Sequence, residues 1–457
     1  MRELRQTLTR TPLPCGHCYP KDLVSFIYER WRDEAFVDRV CPEADQGTFR
    51  LPEQAVLDQV ISTCYQASLL REEERPVMFR LIIRDSYLFA AHEGPPTGMH
   101  RLIFSRTRPF NEYELHRLAP AADFYRTLIG IFIEPALGAQ IWGLLHSGTR
   151  WMHAVYGGRK TSPPMPPSLV VYVTGPGQIS VCIGDEIIAS LNGGQINCPT
   201  LDVFNSNWIR KSLTSLNDET FALHAEARQR AERPWADLDP EFGSNIGQQA
   251  IRRVISVIRN SNHGGLLVYL PPEMADEIME KNQYLTVKYQ FLEYDSRQRF
   301  LSLTLRIMNT LAEIYGEDAV PGQKVGWHEY VTSKNENIAL LDEAIFDVAH
   351  FIAALSAVDG AVVITKRQEL LGFGGVISGD LDSVGMVAHA LDTEGEQCEP
   401  VLSEGVGTRH RAAYRLCQKL HQAIAIVISQ DESVQIVRWH NGSVTYWDQV
   451  PTGVPGF

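Results

Sequence analysis

Three short stretches have residue types and spacing suited to chemistry. The first is Asp359-Gly360-Ala361, between a segment with helical apolar spacing and the run AVVI. A carboxylate at the mouth of a strand can hold a metal or take a proton, and a glycine beside it lets a ligand approach the backbone. Asp-Gly is equally a good turn before a strand. The second is residues 405–411, GVGTRHR, running into AAYRLCQKL. Residues 380–404 hold seven acids and no Lys or Arg, whereas residues 405–430 hold Arg409, Arg411, Arg415 and Lys419 and no acid. A helix start presents free N–H groups and a positive dipole end, so cations there cost stability unless an anion answers them. A polyphosphate would do so through bidentate arginine contacts, and a basic turn paired with nearby acids is the plainer reading. The third is Ser429-Gln430-Asp431-Glu432, after the apolar run at residues 423–428. Its hydroxyl and acids suit Mg²⁺ or Mn²⁺, which prefer oxygen ligands, or make a solvated turn.

Together these supply an acid, a triphosphate cradle and a second acid beside a hydroxyl, a set that suits metal-assisted nucleotidyl transfer. The chain contains no GxxxxGK[ST], so a P-loop nucleoside triphosphatase is not expected.

The elements that must position these residues are legible in the apolar spacing. Ile251, Val254, Ile255 and Ile258 make a helical stripe, followed by a strand at residues 266–270 closed by Pro271 and Pro272. A helix is expected near residues 301–315. A second stripe, Leu341, Ile345, Val348, Ile352 and Leu355, predicts a helix that ends just before Asp359. Strands follow at residues 361–364 and 423–428. Residues 434–439 and 444–447, joined through Asn441-Gly442, read as a hairpin with a primed turn. Strands alternating with helices predict an α/β unit, a mixed sheet covered by helices, over residues 241–457.

These motifs resemble the diadenylate cyclase (DAC) domain. DGA, then GTRHRAA, then a strand ending in Ser with acids after it follow that family's order, and IRRVISVIRNSNHGGLLVYLP resembles its opening helix and strand. The likeness covers residues 245–450. It implies a mixed sheet flanked by helices and the conversion of two ATP into cyclic di-AMP and two pyrophosphates, with Mg²⁺ or Mn²⁺. By the resemblance, Asp359 would bind metal and assist the 3′-hydroxyl, and Gly360 and Ala361 would lie against the nucleotide. Gly407, Thr408, Arg409, His410 and Arg411 would hold the triphosphate, and Ser429 would touch phosphate. In the family two Glu follow that Ser. Here Gln430 and Asp431 stand there, so the second metal carboxylate rests on Asp431. The family's His before DGA is Val358, and its Leu-Pro-Leu between the motifs is missing. The two-fold symmetry of the product requires each ATP to attack the other's α-phosphate, so two such domains must face each other in a homodimer or larger even assembly.

Residues 1–240 read as an α+β region, with helices at residues 22–31 and 52–70 and one or two strands at 77–91. A long apolar stretch at 124–145 and short strands at 169–173, 179–183 and 186–191 follow. Residues 157–168 hold four prolines and suggest a sub-boundary, and residues 229–245 suggest the main one. Lying ahead of a DAC-like domain, this region resembles the sensor-like amino-terminal parts of some diadenylate cyclases, with an unknown signal ligand. Cys15-Gly16-His17-Cys18 is a CxxC before a helix, and His146, Trp151 and His153 cluster without ligand spacing; minor structural roles are expected for both groups.

Composition narrows the classes. Among 457 residues the net charge is −13, with 28 acids and 25 bases in residues 1–240 and 27 acids and 17 bases in residues 241–457. Neither half carries the basic excess of a nucleic-acid binder. No apolar run approaches the roughly 18 residues of a membrane span. Eight cysteines and no apolar stretch after the basic first residues fit a reducing cytoplasm better than secretion. Two rivals to the cyclase remain: a DAC-fold nucleotide sensor without turnover, and an interaction or redox domain centred on Cys15 and Cys18.

Overall fold

Alternation decides the carboxyl-terminal core. In Gly265–Leu270, Leu267 and Tyr269 point to one face of a sheet and Leu266, Val268 and Leu270 to the other, and all six residues are buried. Ala361–Thr365 and Ile424–Ile428 are buried along their whole length in the same way. Strands apolar on both faces need a cover on both faces. The computed structural model describes residues 17–34, 36–37, 49–95, 98–149, 151–152, 166–184, 186–197, 202–261, 263–317, 323–333, 335–429 and 433–448.

The carboxyl-terminal sheet has nine strands. Their order is Leu285–Gln290, Leu370–Ile377, Ala361–Thr365, Gly265–Leu270, Ile424–Ile428, Val434–His440, Ser443–Trp447, Met386–Ala390 and Cys398–Leu402. Gly265–Leu270 runs parallel to Ala361–Thr365 and antiparallel to Ile424–Ile428, so the sheet is mixed. One face packs on the helices Asn207–Ser212, Phe242–Asn260 and Glu336–Leu355, the other on Thr408–Lys419 and Ala275–Glu280. The expected α/β architecture is present. The expected hairpin is there too, with Asn441 and Gly442 both at positive φ (46° and 85°), as a type I′ turn requires.

The amino-terminal sheet has eight strands. Their order is Gln195–Asn197, Glu186–Asn192, Gln178–Ile183, Leu169–Gly175, Phe79–Ile83, Thr127–Glu134, Gly138–His146 and His100–Pro109. The helices Pro20–Arg30, Gln54–Ser68 and Glu112–Leu118 contribute to its larger core. The apolar stretch at 124–145 is thus a hairpin of two strands.

Two expected boundaries differ from the packing. Strands on either side of residues 157–168 belong to one sheet, because Phe79–Ile83 pairs with both Thr127–Glu134 and Leu169–Gly175. The prolines there, of which Pro166 and Pro167 are among the described residues, lie in a connection within a single unit. The other difference is at residue 240. Val203, Phe204, Trp208, Ile209 and Leu213 share a core with Ile255, Leu267 and Ile426. Arg252 reaches back to Asp202 at 2.7 Å while stacking on Phe204. Residues 203–213 therefore pack with the carboxyl-terminal sheet, and Leu216, Ala236 and Leu238 pack with the helices Phe242–Asn260, Arg299–Ile314 and Glu336–Leu355 beside it. Polar composition at 229–245 reflected a surface connection inside that unit.

Candidate functional site

Strand register brings the sequence motifs to one end of the nine-stranded sheet. Leu267 pairs with Val362 in parallel, and Gly265 pairs with Ile428 antiparallel. The start of Ala361–Thr365 and the end of Ile424–Ile428 therefore share an edge. Asp359 and Gly360 precede the first strand and Ser429 follows the second. Ile428 in turn pairs with Val434, placing the start of Val434–His440 at the same end.

The Thr408–Lys419 helix starts near that end and runs away from it. Its buried stripe is Ala413, Tyr414, Leu416 and Cys417. Cys417 Sγ lies 3.5 Å from the Val437 carbonyl oxygen, and the Tyr414 hydroxyl donates to Gln435 Oε1 at 3.2 Å. His410, one turn earlier, contacts the Tyr414 ring edge-on at 6.4 Å. Passing from Cys417 to His410 thus moves from the middle of Val434–His440 to its start and beyond. The helix N-terminus, with Thr408, Arg409, His410 and Arg411, stands over the end that carries Asp359 and Ser429.

Each position has a local cause. Ser356 closes the Glu336–Leu355 helix by donating its hydroxyl to the Ala353 carbonyl at 2.7 Å, and the chain turns through exposed Asp359 into the sheet. Gly360 has φ +113°, and a Cβ there would lie 2.7 Å from the Gly374 carbonyl carbon. Only glycine fits this approach of two strands. Ala361 is fully buried beneath it. Ser429 is half-buried, its backbone N–H bonded to the Ser433 carbonyl at 2.9 Å.

Electrostatics at the helix start are uncompensated. Gly407 is the N-cap, no side chain caps the helix, and its first turn holds no acid. Among the described residues no carboxylate pairs with Arg409, Arg411 or Arg415, whereas Lys419 pairs with Asp382 at 2.9 Å. A cleft of about 270 Å³ opens along the helix flank, lined by residues 383–385 and 403–405 with Arg411, Tyr414 and Arg415. Burial pushes the Tyr414 phenol well above its usual range, so it stays a neutral donor. Asp359, Arg409 and Ser429 do not line this cleft. Arg415, Tyr414 and residues 383–385 were not among the expected site residues. Arg415 lies four residues beyond Arg411, on the same helix face, which is the signal that could have found it.

The metal set is described in part. Asp359 offers hard oxygen donors of the kind Mg²⁺ or Mn²⁺ takes, and Ser429 a hydroxyl on the same edge. Asp431 and Gln430 lie outside the described residues. Among the described residues no three His, Cys, Asp or Glu side chains stand together as a metal cluster. Cys15 and His153 also lie outside them. Cys18 is buried, with its N–H on the Gly194 carbonyl at 2.8 Å. His146 Nδ1 lies 3.4 Å from the Thr127 hydroxyl, and Trp151 Nε1 donates to the Gly184 carbonyl at 3.0 Å.

Part of the amino-terminal sheet matches a described family. Residues 46–146 match a family described as "Probable sensor domain DACNV". The DACNV match spans the Gln54–Ser68 helix and the strands from Phe79–Ile83 to Gly138–His146, the centre and one edge of the eight-stranded sheet. It supports a sensor-like amino-terminal domain and a diadenylate cyclase context for the chain. No curated protein matches this chain. Among the described residues no helix is long and apolar enough to cross a membrane.

Proposed function

We propose that this protein is a diadenylate cyclase whose carboxyl-terminal unit condenses two ATP into cyclic di-AMP under the influence of its DACNV-like sensor domain. The observation that carries the reading is the Thr408–Lys419 helix start: a glycine cap, no acid and unanswered arginines, on the sheet end that bears Asp359-Gly360. Such a start is costly without an anion and favourable with one.

In this reading Arg409 and Arg411 take the β- and γ-phosphate oxygens in charge-assisted bonds, with Thr408 and the first helix N–H groups completing the cradle. His410 lies beside them. The backbone at Gly360 and Ala361 allows the nucleotide to lie close, and Ser429 touches phosphate. Asp359 orients the 3′-hydroxyl and accepts its proton as the 3′ oxygen bonds to the α-phosphorus of the facing nucleotide. The bond from that phosphorus to the β-phosphate bridging oxygen breaks, and pyrophosphate leaves. Mg²⁺ or Mn²⁺, held by Asp359 and Asp431, would neutralise charge developing on the phosphates. Two units must face each other, since each nucleotide is both nucleophile and electrophile.

The test is incubation of the full chain with ATP and Mn²⁺ or Mg²⁺, with products read by mass. Cyclic di-AMP is expected, and Asp359→Asn or Arg409→Ala should each lower its formation at least a hundredfold with circular dichroism unchanged. ATP binding without product under either metal would favour the nucleotide-sensor reading instead. Full activity of Asp359→Asn would remove the proposed mechanism.

A further inference from the structure

A second cavity lies in the helical layer that joins the two sheets in sequence. It has a volume of about 470 Å³, within the range of small-molecule sites. It is framed by the end of Asn207–Ser212, the start of Thr214–Gln229 and the start of Phe242–Asn260. Arg210 and Lys211 supply two cations from one wall. Ser244 and Asn245 line it from the Phe242–Asn260 helix. They are only 8% and 9% exposed, yet neither side chain has a hydrogen-bond partner among the described residues. Their polar atoms open onto the cavity and are not sealed in the protein interior, so a polar occupant can form there the hydrogen bonds that solvent otherwise makes. Groups of this kind that face a polar cavity call for a polar occupant.

The charges point the same way. Glu241 is the one acid among the residues lining the cavity, and it pairs with Arg210 at 3.4 Å with both side chains largely exposed. Such a pair is weak and readily exchanged. Lys211 has no carboxylate partner among the described residues. Neither of the two longer helices that begin here is capped by the side chain of its own N-cap residue or holds an acid in its first turn. The Ser244 N–H is already taken by Asn217 Oδ1 at 3.1 Å, so recognition would fall to the side chains.

We propose that this cavity binds a small phosphate-bearing metabolite, its oxyanion between Lys211 and Arg210 and its polar body against Ser244 and Asn245. A dianionic phosphate matches the two cations and displaces Glu241 from Arg210. The site is separate from the Thr408–Lys419 helix start and does not depend on the cyclase reading. It lies in residues 207–245, between the sensor-like sheet and the first strand of the carboxyl-terminal one, where an effector would act.

The experiment is isothermal titration of the full chain carrying Arg409→Ala and Arg411→Ala, which silences the other anion site. Inorganic phosphate, AMP and acetate serve as probes at matched ionic strength. We expect one phosphate or AMP per chain and acetate at least tenfold weaker. Lys211→Ala should weaken phosphate tenfold or more. Asn245→Asp, which is isosteric and places a like charge in the cavity, should abolish binding, and Lys281→Ala should change nothing. Tighter binding of AMP than of phosphate would assign a phosphate ester, and equal binding would assign free phosphate. Absence of binding, acetate binding as tightly as phosphate, or phosphate binding indifferent to both Lys211→Ala and Asn245→Asp would overturn the proposal. None of these outcomes bears on ATP turnover.

Discussion

Two helix starts in this chain obey the same physics with opposite composition. At Glu112–Leu118, in the DACNV-like region, Asn111 accepts the Glu114 N–H at 2.9 Å and two acids occupy the first turn. Arg108 then closes on Glu114 through two bonds of 3.2 and 2.9 Å, and its hydrogen bonds hold the Glu114 carboxyl below the usual range. The dipole, the cap and the side-chain charges are all answered within the protein. At Thr408–Lys419 the cap is glycine, the first-turn acids are missing and arginines stand in their place. A helix end finished from within serves stability. One left cationic is completed by an added anion, which is the part ATP plays in the proposed function.

The same contrast separates cations inside the carboxyl-terminal unit, and removing an answering group tests it most severely. Arg253 is fully buried between Phe242–Asn260 and Glu336–Leu355, where Asp342 takes it at 2.7 Å and the Tyr330 hydroxyl also donates to Asp342. Asp342→Ala leaves a buried charge without its partner. We expect a loss of about 4 kcal/mol in urea unfolding. A loss below about 1 kcal/mol would mean that Arg253 finds another partner, and that burial does not mark the answered cations.

Lys366 is the opposite case. Among the described residues no carboxylate pairs with it, and burial, with the nearby Arg438, lowers its ammonium to about 8 from 10.5. The unfolded chain therefore holds this proton more tightly than the folded one. Below pH 8 both states are charged and the folded state bears the full desolvation cost. From there to about pH 10.5 the folded state deprotonates first, and stability rises with pH. Lys366→Met should stabilise the protein by on the order of 2 kcal/mol at pH 7. The gain should fade as the pH of the unfolding experiment rises through that window. A pH-independent gain would assign the effect to packing.

The finished helix start gives a smaller effect. Asn111→Ala should cost about 1 kcal/mol, read as a lower unfolding midpoint, and Asn111→Asp should restore most of it. No loss would imply that Arg108 and Glu114 close that end unaided.

Much of this arrangement is readable in the sequence, for stated reasons. Strands buried on both faces announce themselves as apolar runs, and the helix ending before Asp359 by its spacing of four and three. Asn441-Gly442 fixes its hairpin locally. What could not be read depends on long-range pairing. Met386–Ala390 and Cys398–Leu402 sit among seven acids; the second is exposed at four of its five positions, and the first is a short run that carries a histidine, so neither stands out as a strand. The packing of residues 203–213 on the carboxyl-terminal sheet was hidden because Trp208 and Ile209 declare their partner only when Ile255 and Leu267 are packed against them. In the site, GTRHR and Asp359-Gly360 stood out by type. Arg415 did not, since a lone arginine on a helix gains meaning only from the cleft beside it.

The smallest expected effect cuts closest to the comparison. If the start of Thr408–Lys419 is cationic for a ligand's sake, the ligand-free protein carries a cost that substitution can relieve. Arg409→Glu puts an acid in the first turn, as Glu112 does in the other helix. By the dipole alone it should raise ligand-free stability by about 0.5 kcal/mol. The same substitution places a carboxylate where phosphate oxygens would sit, so ATP should no longer raise the unfolding midpoint, as it should in the parent chain by mass action. Stability and binding then move in opposite directions at one residue. A residue present for packing gives no such crossing, because its replacement lowers stability with or without nucleotide. An Arg409→Glu chain that is less stable than the parent and still stabilised by ATP would make this helix start structural, and the contrast with Glu112–Leu118 would lose its functional meaning.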